Sequence, residues 1–179
     1  MREAAELMLF TLICKTLTYI FFSHLCKLNV KEESGLIPSV VQEIEKLHND
    51  LRKTVQPTAK KKLKMKWDAE VAAKAQEWAD TCSMEHSPQS SRMIGTVSCG
   101  ENLFMSNSKV TWRNVILFWY REGPSRIPGL VIGKADGDLS QLVWYMSTKI
   151  GCGMSYCPNA EYKYFYVCLY WQIYPLSLL

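Results

Sequence analysis

Five of the chain's seven cysteines, Cys82, Cys99, Cys152, Cys157 and Cys168, lie downstream of an apolar N-terminal stretch, and no other feature limits the fold so strongly. Cysteines behind a secretory leader read as a disulfide framework, because the compartments such leaders lead to are oxidising. Zinc is the competing reading, since Cys82-x-x-x-His86 and Cys152-x-x-x-x-Cys157 both offer ligands. Structural zinc sites usually draw on two tighter pairs, so disulfides are favoured. An odd number leaves at least one body cysteine free, paired to Cys26, or joined to another chain.

The stretch from Leu7 to Phe22 is apolar apart from Lys15 and three threonines. It is shorter than the roughly 20 clean apolar residues of a membrane span, and residues 1–29 read as a signal peptide of uncertain cleavage point. The chain is therefore expected to be secreted and extracellular, without a stable membrane span; the alternative reading, given Lys15 and the marginal length, is an uncleaved signal anchor. Its 179 residues suit one domain, and 48% hydrophobic content excludes disorder. Lys60, Lys61, Lys62, Lys64 and Lys66 carry much of the +4 charge. Such a run could touch phosphate or an anionic membrane, but like-charge blocks are usually solvated loops. No aromatic interrupts it before Trp67, so nucleic acid is not an expected partner.

Helical spacing of Val40, Val41, Ile44, Leu47 and Leu51 predicts a first helix opening at Pro38-Ser39, with Ser39 and Gln42 spaced as a capping box. Asp68 is placed to cap a second helix with stripe Val71, Ala75, Trp78 and Cys82, and Trp112, Val115, Ile116 and Trp119 mark a third. Glycines and prolines from Gly123 to Gly133 predict an irregular loop. Ile150 to Tyr156 reads as a short strand. Lys163 to Trp171 reads as a strand apolar on both faces, with Tyr164, Tyr166, Cys168 and Tyr170 opposite in direction to Phe165, Val167, Leu169 and Trp171. Such a strand must be covered twice, which predicts an α+β fold, a three-layer α/β/α sandwich around a small antiparallel sheet.

Six stretches, in order, then resemble one family. They are His48-Asn49-Asp50-Leu51-Arg52 with Leu63 to Trp67, Cys82 to Ser87, Cys99-Gly100-Glu101-Asn102-Leu103, Trp119 to Glu122, Ser140-Gln141-Leu142-Val143-Trp144, and Gly151-Cys152-Gly153 with Tyr166-Val167-Cys168. The chain resembles the CAP superfamily over residues 36–171, with residues 172–179 as a short tail. Its wording is most similar to the mammalian cysteine-rich secretory proteins. Their C-terminal hinge and cysteine-rich domain have no counterpart after Trp171.

In that family two His and two Glu converge on a cleft that can hold zinc or another divalent ion. Neutral imidazole suits such ions, and carboxylates orient it and offset charge. The resemblance carries three ligands over, His86, Glu101 and Glu122, and places Asp138 where the second His belongs. A site with one imidazole fewer should bind zinc weakly, with Asp138 offering an oxygen. Tyr120 and Trp144 would flank the cleft. His48 reads instead as part of the first helix's packing surface, and Met84, Met93 and Met105 as packing residues. The resemblance also implies disulfides Cys82–Cys157 and Cys152–Cys168. The family's third bridge would join Cys99 to a position that here is Trp171, leaving Cys99 unpaired and open to linking two chains.

The function implied is a secreted, non-enzymatic recognition or ligand-binding protein, with an extracellular protein or a lipid as ligand and a reproductive or defence role. Two alternatives stand beside it. A weak metal-assisted hydrolase would use His86, Glu101 and Glu122 as acid, base and ligand, with Ser140 the nearest candidate nucleophile. A degenerate, truncated paralogue with little activity would explain the lost His, the lost bridge and the imperfect leader.

Overall fold

The computed structural model describes residues 36–54, 63–122 and 137–172. The leader, Lys60 to Lys62, the loop from Gly123 to Gly133 and the tail beyond Gln172 lie outside the described residues. Helix α1 spans Pro38–Thr54. The short strand β1 (Lys66–Trp67) leads into α2 (Ala69–Ala79). A 3-10 turn (Gln89–Arg92) and a two-stranded ribbon of β2 (Met93–Ile94) and β3 (Val97–Ser98) precede β4 (Gly100–Ser106). Then come α3 (Trp112–Glu122), α4 (Asp138–Val143), β5 (Ser147–Tyr156) and β6 (Tyr164–Gln172).

The main sheet runs β1-β5-β6-β4. β4 and β5 pair with β6 antiparallel, whereas β1 pairs with β5 parallel, so the sheet is mixed rather than purely antiparallel. The reason is local: Asp68 ends β1, donates its backbone N–H to Ile150 O at 2.9 Å, and starts α2 at once. Its carboxylate accepts from the backbone N–H groups of Glu70 and Val71, the predicted N-cap. The first helix differs from expectation. It begins at Pro38, so Ser39 lies inside the helix and not at its cap. Proline lacks an N–H and has its φ preset, which suits the first helical position.

β6 is covered on both faces. Phe165, Val167 and Leu169 pack with Val71, Ala75 and Ala79 of α2, together with Ile94, Leu103, Cys99 and Cys157. On the other face Tyr166 meets Trp112 edge-on at 5.2 Å and Tyr170 meets His48 at 5.8 Å. There α1, α3 and α4 form the third layer, and Trp119 Nε1 of α3 donates to Leu103 O at 2.8 Å. The three-layer α/β/α sandwich is the architecture the sequence implies. Two glycines of β5 set how closely α2 lies. A Cβ on Gly151 or Gly153 would fall within 2.5 Å of the α2 backbone at Ala72 or Gln76. At that approach Gln76 reaches the strand directly. Its Nε2 donates to Met154 O at 3.0 Å and its Oε1 accepts from Met154 N–H at 3.1 Å.

A chain of buried hydrogen bonds links α1 to the sheet through His48, Tyr170 and Asn102. His48 is fully buried, and its Nδ1–H donates to Ile44 O at 2.8 Å. That tautomer leaves Nε2 to accept from Tyr170 Oη at 3.1 Å, and Asn102 Nδ2 donates to the same hydroxyl. Burial, with Arg52 adding to it, lowers the His48 pKa to about 4 despite the opposing bond to Ile44. The folded chain thus disfavours the proton, while the unfolded chain takes it up near pH 6.5. Stability is full above that pH and falls as pH drops from about 6.5 towards 4, by on the order of 3 kcal/mol. Urea unfolding at pH 7 and pH 4.5 should show this loss in the wild type. His48→Asn should show a much smaller slope over the same interval.

Among the described residues two disulfides close, Cys82–Cys157 and Cys152–Cys168. The second joins directly registered residues of β5 and β6, and the first ties the segment after α2 to the end of β5. Among the described residues no helix is long and apolar enough to cross a membrane.

Candidate functional site

The segment from Cys82 to Ser87 carries the candidate histidine, and several contacts hold it. Cys82 and Met84 adopt left-handed φ of 52° and 59°. Such values cost a non-glycine residue roughly 1–2 kcal/mol, so the surroundings must enforce them. The Cys82–Cys157 bridge anchors one end, and Trp78 Nε1 donates to Glu85 O at 2.9 Å. At the other end Ser87 N–H donates to Glu101 Oε1 at 2.9 Å, and Arg92 Nη1 donates to Ser87 O. Arg92 Nε donates to Cys99 O at 2.9 Å, which locks this turn to the start of β4.

His86 Nδ1 lies 2.8 Å from Glu101 Oε1. A carboxylate can only accept, so Nδ1 carries the hydrogen and, in the neutral ring, Nε2 keeps its lone pair. The two side chains differ sharply in exposure, 67% for His86 against 2% for Glu101. The imidazole is presented outward and the carboxylate holds it from within. Glu101 Oε1 also lies 3.8 Å from Arg92 Nη1, and its Oε2 is buried without a hydrogen-bond partner among the described residues. A carboxylate so placed fixes the orientation and tautomer of the exposed imidazole. Glu101 therefore sits behind His86, not beside it as a second open ligand.

Of the four residues the sequence nominates, His86 and Glu101 are brought together. Glu122 closes α3 and Asp138 opens α4, but their side chains lie outside the described residues. Among the described residues no three His, Cys, Asp or Glu side chains gather to hold a metal. Tyr120 Oη meets Thr54 Oγ1 at 3.0 Å, and Trp144 leans on Tyr145. Ser140 is buried and its Oγ donates to Gly137 O at 2.7 Å, so it serves the start of α4 and has no base beside it among its hydrogen bonds. The roles of Arg92 and Ser87 were not legible in the sequence: Arg92 belongs to none of the resembling stretches, and Ser87, though it closes one, acts through its backbone N–H and C=O.

Cys99 is the free cysteine among the described residues, 3% exposed, and burial pushes its thiol up to about 11. A link to a second chain through Cys99 requires the fold to open first. The β4–β6 register ends at Gly100↔Tyr170, and one further step sets Cys99 opposite Trp171. Trp171 packs against the cluster that holds Cys99, with Lys149 Nζ 5.2 Å from its ring centre. Packing of the Trp171 ring, not a disulfide, holds this position.

Solved structures of similar fold include NaASP2 determined with Zn2+, at TM-score 0.62 and 24% identity over 76% of this chain and 80% of that one. Venom allergen-like protein 4 of Schistosoma mansoni matches at TM-score 0.54 and 25% identity, covering 79% of this chain and 88% of that chain. The hookworm platelet inhibitor matches at 0.54 and 24%, over 75% and 70%. Residues 45–170, most of the chain, match the cysteine-rich secretory protein family. With that match over a three-layer fold and two bridges, the chain belongs to the CAP, or cysteine-rich secretory protein, family.

Proposed function

We propose that this chain is a secreted, non-enzymatic binding protein of the cysteine-rich secretory protein type, whose cleft takes a divalent cation weakly. The observation carrying this reading is the His86–Glu101 pair: an exposed imidazole fixed by a buried carboxylate, with Nε2 directed away from its partner. Zn2+ accompanies the similar fold of NaASP2. Here His86 Nε2 would be the nitrogen ligand, with Glu122 and Asp138 supplying oxygens and Glu101 holding the ring. A bound cation would add a Lewis-acidic positive centre to the cleft. The chain's own contribution is orientation: Ser87 N–H and Arg92 fix Glu101, and Glu101 fixes the tautomer of His86.

Secretion fits two disulfides and the apolar leader. The hydrolytic alternative is disfavoured because Ser140 is engaged with Gly137 and no second base faces His86 among the described residues. Calorimetry with zinc tests the site. Binding should be weak, lost in His86→Ala, and reduced about 10- to 100-fold in Glu101→Gln, in which the acceptor for Nδ1–H is weakened. Zinc binding that survives His86→Ala would show that the site lies elsewhere.

A further inference from the structure

The guanidinium of Arg52 brings two distant segments to one place on the surface. Nη2 donates to Leu63 O at 2.9 Å and Nη1 to Trp144 O at 2.7 Å, so the backbones at residues 63 and 144 lie side by side. Their side chains face water: Leu63 is 50% exposed, Tyr145 42% and Trp144 36%. The rings of Trp144 and Tyr145 lie 5.5 Å apart. Next to Leu63, Lys64 is exposed and lines a depression of about 360 Å³ along α1 with Lys46 and Lys53. The carboxylates there are engaged. Asp50 is bridged by Lys46 at 2.6 Å and Lys53 at 3.0 Å, and Glu45 accepts from Trp67 N–H at 2.9 Å. Three ammonium groups against two carboxylates leave the depression positive, as the whole chain is at +4.

We propose that this face docks on an anionic phospholipid surface, with Leu63, Trp144 and Tyr145 at headgroup depth and Lys64 against the phosphates. Indole and phenol rings prefer the membrane–water boundary because one edge is apolar and the other can hydrogen-bond. A small apolar wedge or a few lysines alone hold a protein weakly, and the two together supply the pair of signals that surface attachment requires. Lysine is depleted in protein–protein interfaces, and three apolar side chains fall far short of the roughly 20–30 residues a stable partner engages. The lipid surface is therefore the better fit.

Sedimentation of the secreted protein, with residues 1–29 removed so that the apolar leader cannot itself enter the bilayer, tests this with vesicles of phosphatidylcholine alone and of phosphatidylcholine with about one-third phosphatidylserine. The wild type should prefer the anionic vesicles, and Lys64→Gln should lower that affinity about fivefold. Trp144→Ser combined with Tyr145→Ser should weaken binding to both vesicle types by about tenfold, with thermal unfolding little changed because Arg52 holds only the backbone of Trp144. Wild-type affinity in both variants, no binding by the wild type, or a dimer seen by light scattering that the paired serine variant abolishes would each overturn the proposal.

Discussion

Arg52→Met should destabilise the fold by about 4 kcal/mol, a large share of the roughly 5–15 kcal/mol that holds a domain of this size. Arg52 is 3% exposed and donates to Leu63 O, Leu142 O, Trp144 O and Ser147 O at 2.7–3.3 Å. Burial lowers its pKa to about 10, so the side chain remains protonated at neutral pH. Methionine fills much of the volume but leaves these carbonyls without their charged donor, and each buried acceptor so stranded costs about 1–3 kcal/mol. Lysine should restore little, because a point charge cannot reproduce a planar fork aimed at separated acceptors. Urea unfolding of wild type, Arg52→Met and Arg52→Lys measures this. A loss below about 1 kcal/mol in Arg52→Met would show that water replaces the guanidinium without penalty.

The two bridges should differ in what their removal does. Cys82–Cys157 closes a separation of 75 residues and Cys152–Cys168 one of 16. Loop entropy alone assigns them about 4 and about 3 kcal/mol. Geometry widens the difference, because Cys152 and Cys168 are already neighbours in the β5–β6 ladder. The Cys82→Ser, Cys157→Ser pair should therefore lose about 4 kcal/mol and also loosen the left-handed turn before His86. Hydrogen exchange of residues 82–87 should quicken in that variant and zinc affinity should fall. The Cys152→Ala, Cys168→Ala pair should be the milder and leave exchange in that segment unchanged. Equal effects at both places would mean that the turn is held by its hydrogen bonds alone.

Where local chemistry and burial agree, the fold was legible. Asp68 announced α2, and the doubly apolar run ending at Trp171 announced a strand covered on both faces. β4 was not legible as a strand, since Glu101 and Asn102 are polar yet 7% and 0% exposed. Its strand character comes from seven registered pairs with β6, a non-local fact. Arg52 entered only as part of a resembling stretch, and its anchoring role was not legible, because its acceptors come from segments remote in sequence. At the site, motif wording singled out His86 and Glu101, but their roles emerged only with burial, which set one outside and the other within. The capping reading of Ser39 failed because Pro38 already occupies the first helical position.

The contact between Gln76 and Met154 has a consequence for how the molecule behaves in company. A strand that borders a sheet offers a row of free amides and carbonyls to any extended segment, and such borders seed aggregation and strand exchange. A side-chain carboxamide has the same donor and acceptor as a peptide unit, so Gln76 occupies Met154 as a neighbouring strand would, without extending the ladder. Close glycines admit the helix that carries it. The outer border of β5 is thereby closed to strand addition at Met154 by one amide, a protection that also holds at high local protein concentration.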